Sequence, residues 1–116
     1  MDVTAKTRYL PISAFKLRLV CNQVRGMDAD QAVEILKFQP QRGAYHVRKL
    51  IESALANAEE NFELNPDDMV IAEIYADEAP SQRRVKAGAR GRYKPRVKRY
   101  AHLRLVLREF DYEEVN

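Results

Sequence analysis

The segment RRVKAGARGRYKPRVKR, from Arg83 to Arg99, sets nine lysines and arginines into seventeen residues without one acid. It follows a stretch from Glu52 to Gln82 that contains no base. Patterns of period two stand on both sides of it. Before it, Val70, Ala72, Ile74 and Ala76 alternate with Ile71, Glu73, Tyr75 and Asp77; after it, Leu103, Leu105 and Leu107 alternate with more polar neighbours that include His102 and Arg104. Each pattern predicts a strand with one buried face. A basic run between two strands able to pair antiparallel reads as an extended hairpin, here over residues 79–101, whose limbs continue the sheet outward. About eleven residues per limb at about 3.3 Å each carry its tip on the order of 35 Å from the core. Gly88 and Gly91 flank Ala89 and Arg90 where the chain must turn.

Working outward, Val3 to Leu10 alternate loosely as a further strand, with Val3, Ala5 and Tyr9 on one side and Lys6 and Arg8 on the other. Pro11 stops it. Ser13 is a suitable N-cap for a helix to about Val24, with Phe15, Leu19, Val20 and Val24 as its apolar side and Lys16, Arg18 and Arg25 outside. Gly26 ends that helix. A short helix from Asp28 or Ala29 to Phe38 buries Ala32, Val33, Ile35 and Leu36, and Pro40 closes it. The longest helix runs from Arg42 to Phe62 through Val47, Leu50, Ile51, Ala54, Leu55, Ala58 and Phe62, with small residues Ser53, Ala54, Ala56 and Ala58 for close approach. Asn65 to Asp68 form a turn. Three strands and three helices predict an α+β fold, a three-stranded antiparallel sheet packed against three helices with a long projecting β-hairpin. The 116 residues suit one domain, 1–116, with an acidic tail over 109–116.

The formal net charge of +3 conceals a division. Without the nine bases of the arm, eleven bases face seventeen acids, so a body near −6 carries an arm of +9. Such an arm suits a polyanion, because each phosphate neutralised releases condensed counterions. No apolar run approaches the roughly 20 residues of a membrane span, and the polar start does not form a secretory leader. A single cysteine, Cys21, excludes an internal disulfide and a zinc cluster of several thiolates, so a reducing intracellular setting is expected. Cys21 lies among Leu17, Val20 and Val24 as a packed side chain.

From Arg90 onward the cations fall at every second position, Arg90, Arg92, Lys94, Arg96 and Lys98, one face of an extended limb. Arg83, Arg84, Lys86 and Arg99 complete the set. Pro95 is compatible with a ribbon that has only edge strands. Tyr93 is suited either to stacking on a base or to packing within the hairpin, and the segment also has the bland reading of a solvated charge run. A thin cationic ribbon favours the crevices of folded RNA over the regular grooves of duplex DNA. Lys6 and Arg8, with the helix cations Lys16, Arg18 and Arg25, form a candidate second contact zone near the base of the arm. Catalysis has little support: two histidines, His46 and His102, and no glycine-rich phosphate loop or metal-ligand spacing. Two rivals stand beside a structural RNA-binding role, a free-standing nucleic-acid regulator and a phosphodiester-cleaving enzyme using His102 and Arg104. Asn57 and Asn61, one helical turn apart, fit either a cap or a contact to RNA sugars.

Several segments in combination resemble the bacterial-type large-subunit ribosomal protein 22 family, over Thr4 to Arg108. They are Ser13 to Val20, Val24-Arg25-Gly26, Ala32 to Phe38, Ser53 to Asn61, Arg90-Gly91-Arg92, and Lys98-Arg99 followed by His102. The chain departs from the family's pattern near Ala87, where many relatives carry proline, and in its acidic body. The resemblance implies a non-enzymatic constituent of the large subunit that binds rRNA and supports subunit assembly. It makes Arg83 to Arg99 an rRNA-binding hairpin whose tip, Gly88, Ala89, Arg90, Gly91 and Arg92, reaches the wall of the nascent-peptide exit tunnel. Lys16, Arg18 and Arg25 become body contacts to rRNA. The implied partners are large-subunit rRNA, neighbouring ribosomal proteins and, at the tip, the nascent peptide, with no membrane, cofactor, metal or small-molecule substrate. The implied location is the cytoplasmic ribosome, an organellar one remaining open.

Overall fold

The computed structural model describes residues 2–87 and 93–109, with 82–87 and 93–97 described by backbone alone. The elements in chain order are β1 (Asp2–Leu10), α1 (Ala14–Val24), α2 (Ala29–Leu36), α3 (Arg42–Phe62), β2 (Met69–Glu78), β3 (Gln82–Ala87), β4 (Tyr93–Lys98) and β5 (Ala101–Glu109). A single 3-10 turn, Pro66–Asp68, precedes β2, with Asn65 Oδ1 accepting from the Asp67 amide. The body sheet has the order β1-β5-β2, all antiparallel, and its inner face packs on the three helices. The fold is therefore the α+β arrangement expected. Glu109, which sequence analysis assigns to the tail, is the last residue of β5 and pairs with Met69; the remainder of the tail, 110–116, lies outside the described residues.

The core is apolar throughout, with no buried charged or polar residue among those described. Leu103, Leu105 and Leu107 point inward from β5, as their alternation predicts, against Leu17, Leu36 and Ile51 of the helical layer. Two strands depart from strict alternation. Ile71 pairs with Leu107 and Glu73 with Val106, so Ala72 is an extra residue in β2 and the inward set switches from Met69 and Ile71 to Ile74 and Ala76. Val70 and Ala72, expected to share the face of Ile74, are instead half-buried off the core line. In β1 the register slips between Thr7 and Leu10, and Tyr9, expected inward, is 58% exposed with φ 56°. That left-handed backbone costs about 1–2 kcal/mol for a residue with a Cβ. His102 on β5 offsets part of it, because its Nδ1 accepts from the Tyr9 amide at 3.1 Å and its ring meets the tyrosine edge-on at 4.8 Å. An accepting Nδ1 puts the ring proton on Nε2.

Ser13 Oγ accepts from the Lys16 amide and caps α1 as predicted. Its buried face is Ala14, Leu17, Val20, Cys21 and Val24, so Phe15 and Leu19, expected in the core, stand 70% and 48% exposed. The same rotation applies to Ile35 of α2, which points out while Ala29, Ala32, Val33 and Leu36 point in. Helix α3 has the predicted bounds. Ala54 and Ala58 face the core, whereas Ser53, Ala56 and Phe62 remain exposed. Its first turn comes close to α1 at Gly43, where an added Cβ would lie 3.3 Å from Val20 Cγ2 and 3.5 Å from Leu17 Cδ2.

Burial pushes the Cys21 thiol up to about 11, from about 8.5 in an unfolded chain. The folded state therefore holds the neutral thiol more tightly, and its contribution is complete below the unfolded value and lost as pH rises through the folded one. Thiol-directed reagents at pH 8 are expected to leave the native protein unlabelled and to label it on denaturation; rapid native labelling would contradict the packing. Gly43→Val is expected to cost about 1–3 kcal/mol by overpacking α1 against α3, read as a lower denaturant midpoint.

Candidate nucleic-acid interface

The arm is a separate two-stranded sheet, β3 with β4, and not a hydrogen-bonded continuation of the body sheet. Its base is closed by the last rung of the body ladder, Glu78 with Ala101, and by a bond from the Ala79 amide to the Tyr100 carbonyl at 3.0 Å. Along the arm, the rungs Gln82–Lys98, Arg84–Arg96 and Lys86–Lys94 alternate with Arg83–Val97, Val85–Pro95 and Ala87–Tyr93. Five cations thus share one set of alternate rungs. The sequence shows the alternation in the second limb only; the register adds Arg84 and Lys86 from the first. Like charges directly opposed across a ladder are unfavourable by a few tenths to about 1 kcal/mol per pair, a cost that a polyanion reverses. Arg90, Arg92 and the remaining tip residues Gly88, Ala89 and Gly91 lie outside the described residues.

The molecule is long for its size. Its radius of gyration is 17.6 Å, where a compact chain of this length has about 13 Å, and its principal extents are 67 × 25 × 23 Å. At the base of the arm, Lys16, Arg99, Phe15, Glu78 and Tyr100 line a cleft of about 650 Å³. Lys98 Nζ lies 5.6 Å from the centroid of the Tyr100 ring. Lys16 and Arg99, distant in sequence, are therefore brought to one place.

The other two helix cations do something different. Arg18 Nε donates to the Ala76 carbonyl at 3.0 Å, and Arg25 Nη2 donates to the Ile74 carbonyl at 2.7 Å while its Nη1 reaches Asn22 Oδ1 at 2.7 Å. Both guanidiniums lie along the side of β2 that has no neighbouring strand. Both arginines stay outside the core, as expected, and these bonds add a partner that helical periodicity alone does not reveal, the sheet edge of β2. The edge is completed by reciprocal bonds, Gly26 amide to Ile71 carbonyl at 3.0 Å and Ile71 amide to Met27 carbonyl at 2.9 Å. Gly26 adopts φ 84°, the left-handed turn that directs the chain back along β2.

A basic and aromatic group missed at the sequence level lies on the first half of α3. Tyr45, 53% exposed, has Arg48 at 5.7 Å and Lys49 at 5.6 Å from its ring centroid. Glu52 pairs with both bases, at 3.2 and 3.9 Å, so much of their charge is answered locally. The neighbouring His46 has its pKa lowered by partial burial and by Arg42. The only signal in the sequence is one tyrosine among three bases between Arg42 and Lys49. Asn61 Nδ2 bonds Asn57 Oδ1, which occupies those two amides with one another. His102, considered for phosphodiester cleavage, is engaged with Tyr9. Among the described residues no group of histidine, cysteine or carboxylate side chains is placed to hold a metal, and no helix is long and apolar enough to cross a membrane.

The molecule is thus a small two-layer body that carries a separate two-stranded ribbon. Comparison with known proteins gives it a family. The profile of the family described as ribosomal protein L22p/L17e matches residues 5–108. The large ribosomal subunit protein uL22 of Finegoldia magna is 39% identical over 109 residues, covering 94% of this chain and 97% of the relative. That of Syntrophomonas wolfei is also 39% identical over 109 residues, 94% and 96% of the two chains. The chain belongs to the ribosomal protein L22p/L17e family, as its motifs suggest, and is a structural protein and not an enzyme.

Arg25→Ala is expected to destabilise the body by about 1–3 kcal/mol, because it removes a charged donor from the β2 edge. Lys16→Ala is expected to stay within about 0.5 kcal/mol. Urea unfolding of the two purified variants makes the comparison, and equal midpoints would remove Arg25 from the edge.

Proposed function

We propose that this chain is a constituent of the large ribosomal subunit, in which the body docks on the particle and the basic arm lies between rRNA segments. The register of β3 with β4 carries this reading, because it stacks Arg84, Lys86, Lys94, Arg96 and Lys98 on one set of rungs in a segment without an acid. Phosphates on two sides of a ribbon relieve repulsion that the free arm bears alone. Lys16 and Arg99, which meet at the base cleft, extend the contact onto the body. Arg83 supplements the arm, and Arg18 and Arg25 contribute through whatever guanidinium N–H groups β2 leaves free.

The family relation supports the rest. The relatives at 39% identity are named as large-subunit proteins, and both are bacterial. The function proposed is to bind rRNA, support assembly of the subunit and extend the hairpin to the wall of the nascent-peptide exit tunnel. Gly88 to Arg92 form the tip, with Arg90 and Arg92 as its cations and the nascent peptide as its neighbour. The cytoplasmic ribosome is the proposed location, and neighbouring large-subunit proteins are the proposed protein partners.

Sucrose-gradient sedimentation of a cell lysate is expected to find the protein with large subunits; recovery only in light soluble fractions would favour the free-standing regulator. Replacing residues 84–98 by a short turn is expected to preserve helical circular dichroism, since the core residues among those described lie outside them. The same variant should bind rRNA more weakly with a shallower dependence on salt, the log-log slope falling by about 0.7–0.9 for each phosphate that is no longer neutralised. An unchanged slope would mean that the arm does not neutralise phosphates.

A further inference from the structure

The fold treats the two outer edges of the body sheet differently. On β2, Arg18, Arg25 and the Gly26–Met27 turn bond to the side that has no neighbouring strand. Strand β1 has no such cover. It pairs with β5 alone, and among the described residues no bond reaches the other side of Asp2–Thr7. Every second residue of an edge strand directs its N–H and C=O away from its partner, so this stretch presents an open row of donors and acceptors. The register slip between Thr7 and Leu10 ends that row.

A groove of about 460 Å³ lies between this edge and α3. The consecutive residues Thr4 to Thr7 line one side, and His46, Lys49 and Ser53, spaced along one helix face, line the other. The buried Leu50 and Ala54 add apolar surface, and no lining residue is an acid. An edge strand beside a helix with a groove between them suits the addition of a further strand, in which the backbone ladder gives affinity and alternate side chains enter the groove.

The charge along the edge is positive. Asp2, its one acid, is held by Arg108 through two parallel bonds, Nε to Oδ1 at 3.0 Å and Nη2 to Oδ2 at 3.2 Å. Lys6 stands directly opposite Arg104, and neither makes an ion pair among the described residues. Like charges on one rung are unfavourable, and an acid placed opposite Lys6 on its free side offsets that cost. Lys49 shares Glu52 with Arg48, at 3.9 against 3.2 Å, and so keeps part of its charge for the groove. Charged residues on an edge also discourage pairing with other strands, but that role does not require a groove beside them. A nucleic-acid strand would answer the lysines and leave the backbone row unused.

We propose that the β1 edge is a docking surface for a partner protein, which adds an extended acidic segment beside Asp2–Thr7 with one acid opposite Lys6 and alternate side chains entering the groove beside Lys49 and Ser53. The surface involves neither the arm nor rRNA, so it stands or falls apart from the ribosomal reading.

The probe is a fluorescein-labelled octapeptide of alternating valine and glutamate, followed by anisotropy at about 150 mM salt to screen distant charge. Because the basic arm attracts any polyanion, the background is the full chain carrying R84Q, K86Q, K94Q and R96Q. Binding should persist there and fall at least roughly tenfold when lysine replaces the peptide's glutamates or proline interrupts its centre. K6E and S53W should each weaken binding roughly tenfold, the first by charge and the second by filling the groove. The lysine peptide should bind K6E better than the parent, and the melting temperature of K6E should not fall, since it removes a like-charge rung. Residue-resolved amide exchange should slow at alternate positions of Asp2–Thr7 when the peptide is added. Parent affinity in both K6E and S53W, or slowing confined to the arm, would overturn the proposal. So would a single-stranded RNA 12-mer that slows the β1 amides when the peptide does not, which would assign the edge to nucleic acid. Roughly tenfold tighter binding by a chain ending at Glu109 would give the edge to the protein's own acidic tail. A concentration-dependent dimer lost in K6E would give it to a second copy.

Discussion

The antiparallel ladder between β2 and β5 is the constraint on which the rest of this molecule depends. It registers Met69 with Glu109 at one end and Glu78 with Ala101 at the other, so the chain between Glu78 and Ala101 must leave and return at one point. The Ala79–Tyr100 bond closes that point, and β3 and β4 then pair outward from it. The arm is thus positioned by pairing that takes place entirely outside it. The same ladder places β5 centrally, giving β1 a partner and leaving β2 with a side that needs cover. Arg18 of α1, Arg25 at its C-cap and the Gly26–Met27 turn supply that cover, which removes a template for pairing with other chains. Two exposed bases thereby hold the sheet edge as well as adding to the surface charge.

Charge is divided between surfaces as well as between body and arm. Asp30, Glu34, Glu52, Glu59 and Asp67 border a depression on the outside of the helical layer, away from the open sheet face. The carboxyl of Asp30 there is raised by partial burial and by its hydrogen bond with Asp67, a sign of how closely the acids are gathered. Cations occupy the arm, its base and the arm-proximal part of the sheet.

The parts of the fold legible in the sequence are those in which one period extends over many residues with one buried side. Helix α3, with its 21 residues of regular apolar spacing, has the bounds its pattern predicts, and the three leucines of β5 face the core. Helix α1 offers two overlapping apolar faces, one through Phe15 and Leu19 and one through Leu17 and Cys21. Only the packing of α3, close enough at Gly43 to contact Leu17 and Val20, decides between them. The extra residue at Ala72 is silent for a related reason. Val70 to Ala76 alternate without interruption, and the bulge exists only in relation to the partner strand. The candidate site follows the same rule. Composition reveals the arm, but the rungs shared by Arg84 and Lys86 with the second limb, the meeting of Lys16 with Arg99, and the unpaired Lys6–Arg104 rung all arise from pairing across distant segments.

The order of the sheet, β1-β5-β2, has a consequence for synthesis. The strand that both others need is the last of the five to leave a ribosome, about a hundred residues after the first. Until it emerges, β1 has no strand partner and β2 only its arginine cover, while the contacts among α1, α2 and α3 can already form. The nine bases of the arm precede β5 in the chain, so the arm is aimed only once the strand that follows it has paired. Pairing of β5 therefore joins β1 to β2 and forms the Glu78–Ala101 rung at the arm's base in the same event.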